Sequence, residues 1–227
     1  LNPWWGTENV SENTLKAKIL QLAGPAVGAQ NLEIWGLEVI EAGRMLVRLY
    51  VDTPGRAEEE APAETEDGDI PENISATVDQ CESISRQLAL ALDAEEVIDR
   101  PYTLEVSTPG LDRLFFSADQ MKDYTGEIID ARYPGAITPG DPVKPHRVWR
   151  GTLLEAGGDS FVLQPGSVSE DGTFLPEDCP PVTLPFSSAR RVRRVYIYAR
   201  PQKPGRGSRP GKAKKNSSSK AQKGKNS

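Results

Sequence analysis

Nine residues from Arg44 to Asp52 alternate strictly: Met45, Val47, Leu49 and Val51 share one parity, and Arg44, Arg48 and Asp52 the other. Successive side chains leave a strand on opposite sides, so this pattern demands a sheet with one buried face. The preceding run, Leu32 to Ile40, alternates as well, with Leu32 and Ile34 followed by Leu37 and Val39. Its phase changes at Gly36, which predicts a bulge, since glycine tolerates the dihedrals a bulge needs. Glu41-Ala42-Gly43 supplies the turn, and the pair reads as a hairpin.

A half-apolar hairpin needs a cover, and two flanking segments have helical period. From Asn9 to Ala26, Leu15, Ile19, Leu22 and Ala26 form one stripe, and Gly24-Pro25 marks the expected end. The second helix opens at Thr77, with Gln80 in capping-box position, and places Val78, Cys81, Ile84, Leu88 and Leu92 on one face. Tyr102 to Ser107 is a third strand. The order α-β-β-α-β predicts a two-layer domain over residues 1–112. Within it, Thr53 to Glu72 is dense in Glu and Asp and broken by Pro54 and Pro62. Such a segment buries too little apolar surface to offset its ordering entropy, so 53–72 is expected to be a disordered acidic loop.

Beyond Tyr124 helical period disappears. Five β-rich runs, Gly126 to Tyr133, Arg147 to Glu155, Ser160 to Leu163, Val182 to Leu184 and Val192 to Tyr198, are separated by Gly, Pro and Asp clusters. Short strands in this number predict a small SH3-like or Sm-like β-barrel over 113–199, since closure removes exposed edges. Phe186-Ser187-Ser188-Ala189 is placed for a single 3₁₀ turn. The fold class expected is therefore α+β, ending in a disordered basic tail over 200–227.

Charge is divided unevenly. Ten of the 27 basic residues lie from Arg200 onward, where there is no acid, leaving 17 basic against 33 acidic residues in the body. An acidic body with a basic tail suits contact with nucleic acid through Lys212, Lys214, Lys215 and their neighbours. A solubilising tail is the alternative. The densest basic group outside the tail is Arg190, Arg191, Arg193 and Arg194, beside the apolar Val192, Val195 and Ile197. It is either a docking surface for RNA or protein, given the phosphate-matching arginine fork, or a counterweight to the chain's own acids.

Nothing points to catalysis. The single histidine, His146, has no nucleophile-elbow motif to serve, and no phosphate-binding glycine loop or zinc-binding helix motif occurs. No metal or cofactor is expected. Cys81 and Cys179 lack a partner pattern and read as reduced thiols of a cytoplasmic protein; no apolar run spans a membrane, and no signal pattern opens the chain.

Leu104-Glu105-Val106-Ser107-Thr108-Pro109-Gly110-Leu111-Asp112-Arg113 is the most specific segment. It resembles the RimP family of bacterial ribosome maturation factors, in which a strand ends in Val-Ser-Ser-Pro-Gly-Leu-Asp-Arg. Thr77 to Leu88 is similar to the family's second helix and Glu38 to Asp52 to its hairpin, so the likeness covers most of residues 8 to 116. One departure is Leu114-Phe115, where the family has Pro-Leu.

The residues themselves give Pro109 and Gly110 a sharp corner, let Leu111 plug a domain junction and let Asp112 and Arg113 pair or cap the next stretch of chain. Hinge and direct RNA contact are both open for this corner. The resemblance implies a monomeric, non-enzymatic factor acting late in assembly of the 30S small subunit. Implied partners are the immature particle, with its 16S RNA, and the ribosomal protein lining the decoding centre. Binding energy would favour one RNA–protein arrangement over competitors. A general Sm-like module acting on messenger or small RNA is the competing reading, against which the α-β-β-α-β half argues.

Overall fold

The computed structural model describes residues 10–55, 75–140, 143–169 and 172–197. Most of the acidic stretch, the tail with Lys212, Lys214 and Lys215, and Tyr198 lie outside the described residues.

Helix α1 (Val10–Gly28) leads into the hairpin β1 (Glu33–Ala42) and β2 (Arg44–Asp52). Helix α2 (Val78–Ala94) and β3 (Tyr102–Ser107) complete the α-β-β-α-β order. β3 lies parallel to β2, so the sheet order is β1-β2-β3 and α2 serves as the crossover. Met45, Val47, Leu49 and Val51 are essentially fully buried, as their parity demands. Against them pack Ile19, Ala23 and Val27 of α1 and Ile84, Leu88 and Leu92 of α2. Each such aliphatic side chain contributes roughly 2 kcal/mol by leaving water. The Thr77–Gln80 capping box is present, with both reciprocal bonds.

Two details differ from expectation. Helix α1 continues through Pro25, whose ring faces solvent while Ala26 and Val27 carry the buried stripe one turn further. Packing of that turn holds the helix despite the missing proline N–H. Val78 is 83% exposed and does not share the buried stripe of Ile84, Leu88 and Leu92.

The second half is an antiparallel sheet. It comprises β4 (Leu114–Phe115), β5 (Ile128–Ile137), β6 (His146–Gly157), β7 (Ser160–Val168), β8 (Phe174–Pro176), β9 (Val182–Pro185) and β10 (Arg191–Arg194). A 3₁₀ helix, Asp119–Tyr124, sits between β4 and β5. The pairings follow the path β4-β10-β5-β6-β7-β8, with β9 also on β7. Among the described residues this path is open: no pairing joins its two ends into the expected ring. Ile129, Leu153, Phe161, Leu163, Leu184 and Val192 nonetheless share one core, so the sheet wraps round it. Phe186 to Ala189 makes one turn, Ala189 N–H donating to Phe186 O at 2.9 Å. The described residues thus form a mixed α+β fold with two sheets and two cores.

Candidate functional site

The two cores meet where β1 is irregular. Its register against β2 jumps between Ile34 and Gly36, leaving Trp35 as the additional residue. A bulge redirects a side chain, and here the Trp35 indole belongs to the core of the second sheet rather than its own. Its Nε1–H donates to Leu114 O at 2.6 Å. Gln120 Nε2 donates to Trp35 O at 2.6 Å, and Gln120 Oε1 accepts from Phe116 N at 2.8 Å. Gly36 is required by the close approach of Phe116: a Cβ there would lie 2.0 Å from the ring.

Asp52, placed on the polar parity of β2, is buried under this junction and pairs with Arg113 at 2.7 Å. The Arg113 guanidinium lies 4.6 Å from the Trp35 ring centroid and 5.7 Å from that of Tyr124. Arginine is weakly hydrated and planar, which suits a buried site that offers both a carboxylate and aromatic faces. Burial pushes the Tyr124 hydroxyl up, with Arg113 opposing the rise. Burial and then the Asp52 charge raise the Glu33 carboxyl, again against Arg113.

The remainder of the corner behaves unevenly. Pro109 is buried and Gly110 takes φ +71°, the left-handed value glycine favours. Leu111 is 45% exposed and does not plug the junction. Trp35, Arg113 and Phe116 fill that place, since the turn at Gly110 directs Leu111 outward. Asp112 caps the far side: its Oδ1 accepts from Tyr196 N at 2.9 Å and its Oδ2 lies 3.5 Å from Arg193 Nη1. Arg113 O accepts from Arg194 N at 2.8 Å. The corner therefore clasps the strand that carries the arginine cluster.

That cluster divides into two pairs. Arg194 makes a two-pronged contact to Glu127 at 2.9 and 3.0 Å, and Arg193 leans on Asp112, so these two balance the chain's own acids. Arg190 and Arg191 are exposed, and no carboxylate among the described residues pairs with them. Both border a groove of about 780 Å³ between β1 and β10. Leu37, Val39 and Ile40 line it from β1, and Phe116 and Phe186 line it from the second half of the chain. Arg132 and Lys16 add further cations to its rim. The sequence pattern did not reveal Arg132, Lys16 or the apolar lining. The Arg191–Arg132 register is long-range, and no local pattern announces it.

His146 begins β6 with its ring edge-on to Trp149 at 5.1 Å. Cys81 and Cys179 are free thiols, and burial pushes Cys81 up, away from reactivity. Among the described residues no group of three His, Cys, Asp or Glu side chains is placed to hold a metal, and no helix is long and apolar enough to cross a membrane.

Comparison with known proteins agrees with this architecture. The family model described as RimP N-terminal domain matches residues 22–112. The ribosome maturation factor RimP of Desulfovibrio desulfuricans is 43% identical over 221 residues, covering 87% of this chain and 86% of that protein. That of Nitratidesulfovibrio vulgaris strain Miyazaki F is 31% identical over 217 residues, covering 91% and 92%. The strain DP4 protein is 35% identical over 193 residues, covering 85% and 96%.

Proposed function

The chain belongs to the RimP family of ribosome maturation factors, and from that premise we propose that it assists assembly of the 30S small subunit by binding the immature particle. Ribosome maturation follows from the family; the particle and its contacts are our reading. The observation that carries it is the clasped junction. Asp52–Arg113 and Trp35 hold two small sheets together, and beside them Arg190 and Arg191 face outward without carboxylate partners among the described residues. A jointed body with a rim of arginines suits an RNA–protein surface, where phosphate contacts position a protein without reading bases.

We take residues 1–112 and 113–199 as its two domains, 200–227 as a basic tail, and Pro109 to Arg113 as the piece that fixes their relation. Arg190, Arg191, Arg193, Arg194, Lys212, Lys214 and Lys215 are our candidate contacts to the 16S RNA. Arg193 and Arg194 would act chiefly by holding β10 in place. The partner on the protein side would be the small-subunit protein at the decoding centre. The factor would act as a cytoplasmic monomer, without chemistry of its own, by favouring one arrangement of the particle.

Pelleting tests this directly. The purified chain, mixed with precursor or mature small subunits at modest ionic strength, is expected to pellet with the precursor and far less with the mature particle. Equal binding to both, or to neither, contradicts the reading.

A further inference from the structure

Arg191 and Arg132 are directly opposed partners across β10 and β5. Like charges in that position destabilise a sheet. Arg190 is drawn to the same place, its N–H bonded to Arg132 O at 2.7 Å. Among the described residues the only carboxylate on these three arginines is Asp130, 3.3 Å from Arg132 and shared with Arg150 at 2.6 Å. Glu38, the acid in the groove, is already engaged by Tyr50 at 2.9 Å and Arg48 at 3.4 Å. The fold thus concentrates positive charge along a groove to which Ile40, Phe116 and Phe186 add apolar surface.

We propose that this groove binds single-stranded RNA. Phosphates sit on Arg132, Arg190 and Arg191, and an unstacked base rests against Ile40, Phe116 and Phe186. The inference rests on the reading that the chain works on an RNA–protein particle, and names which feature of the RNA the groove takes. Guanidinium forks match phosphate oxygens, and an anion relieves the opposed Arg191–Arg132 pair. Duplex RNA would satisfy the arginines but not Ile40, Phe116 and Phe186, because its bases are stacked inside and its deep groove is closed to side chains. A loop or strand with splayed bases satisfies both. Ile40 lines the groove and is 38% exposed, an apolar surface otherwise left to water.

The test uses the full chain and a fluorescent single-stranded RNA of about 12 nucleotides, with a duplex of the same length alongside, over a range of salt. Replacing Arg190→Gln and Arg191→Gln together is expected to weaken strand binding roughly tenfold. It also flattens the slope of log affinity against log salt by about 1.4, roughly 0.7 for each lost phosphate contact. Ile40→Ser is expected to weaken strand binding about threefold or more, with the salt slope and duplex binding unchanged. The tail remains in every variant, so the differences belong to the groove. Melting temperatures should stay level, or rise in the arginine variant as the like-charge pair is relieved.

The proposal is overturned if Ile40→Ser is silent or weakens duplex and strand alike. It is also overturned if a Glu- and Leu-rich peptide binds more tightly than RNA and is lost in the same variants, which would make the groove a protein site. If the unaltered chain fails to pellet with precursor subunits, the underlying reading fails. If it pellets while both variants bind RNA normally, this inference alone fails.

Discussion

Asp52, the last residue of β2, and Arg113, the last residue of the proline–glycine corner, meet at 2.7 Å with side chains only 1% and 5% exposed. Neither belongs to the other's sheet, so the pair joins the two halves of the molecule. Removing one partner leaves a buried charge uncompensated, which costs about 3–5 kcal/mol. Asp52→Ala and Arg113→Ala are each expected to lower the free energy of urea unfolding by that amount. The double variant should lose much less than the sum. Arg113→Lys should not restore stability, because an ammonium lacks the plane that lies over Trp35.

Gly36 and Phe116 provide a steric counterpart. A methyl at residue 36 would enter the Phe116 ring. Gly36→Ala is expected to destabilise by roughly 1–3 kcal/mol. Adding Phe116→Leu, which vacates the ring edge, should recover part of that loss. A double-mutant cycle on chemical unfolding measures the coupling.

Asp130 gives the expected pH dependence. Burial raises its carboxyl, but hydrogen bonds from Arg150 and Arg132, with their charges, outweigh burial and hold it below the usual carboxylate range. A depressed folded value gives stability that is present above the unfolded value, near 3.9, and lost as pH falls through the folded one. Asp130→Asn should therefore be less stable than the unaltered chain at pH 7. The gap should narrow progressively below about pH 4, as followed by unfolding at a series of pH values.

The Thr77–Gln80 box supports the first turn of α2 with bonds of 3.2 Å and 2.8 Å. Thr77→Ala should cost about 1 kcal/mol, read as a lower melting temperature. RNA binding should be unaffected, since neither Thr77 nor Gln80 lines the groove.

Features carried by local pattern were legible in the sequence. The parity of Arg44 to Asp52, the phase change at Gly36 and the Thr77 cap all appear where spacing placed them. The features that were not legible depend on residues distant in the chain. Polar parity gave Asp52 a side of the sheet, but only the second half of the chain makes that side an interior. Leu111 was the apolar residue of the corner and so the obvious plug, yet the left-handed turn at Gly110 sends it outward and buries Arg113 instead. The short strands β4 and β8 have no periodicity to detect, since two or three residues cannot show one. Arg132 gained meaning only through its register with Arg191.

The proposed binding of an unfinished small subunit through the arginine-rimmed face is tested most directly by a sucrose gradient of cell extract probed for this chain. The protein is expected to sediment with free small subunits, to be depleted from intact ribosomes, and to leave the small-subunit fractions when Arg190 and Arg191 are neutralised. A protein that remains at the top of the gradient, or follows intact ribosomes, would contradict that role.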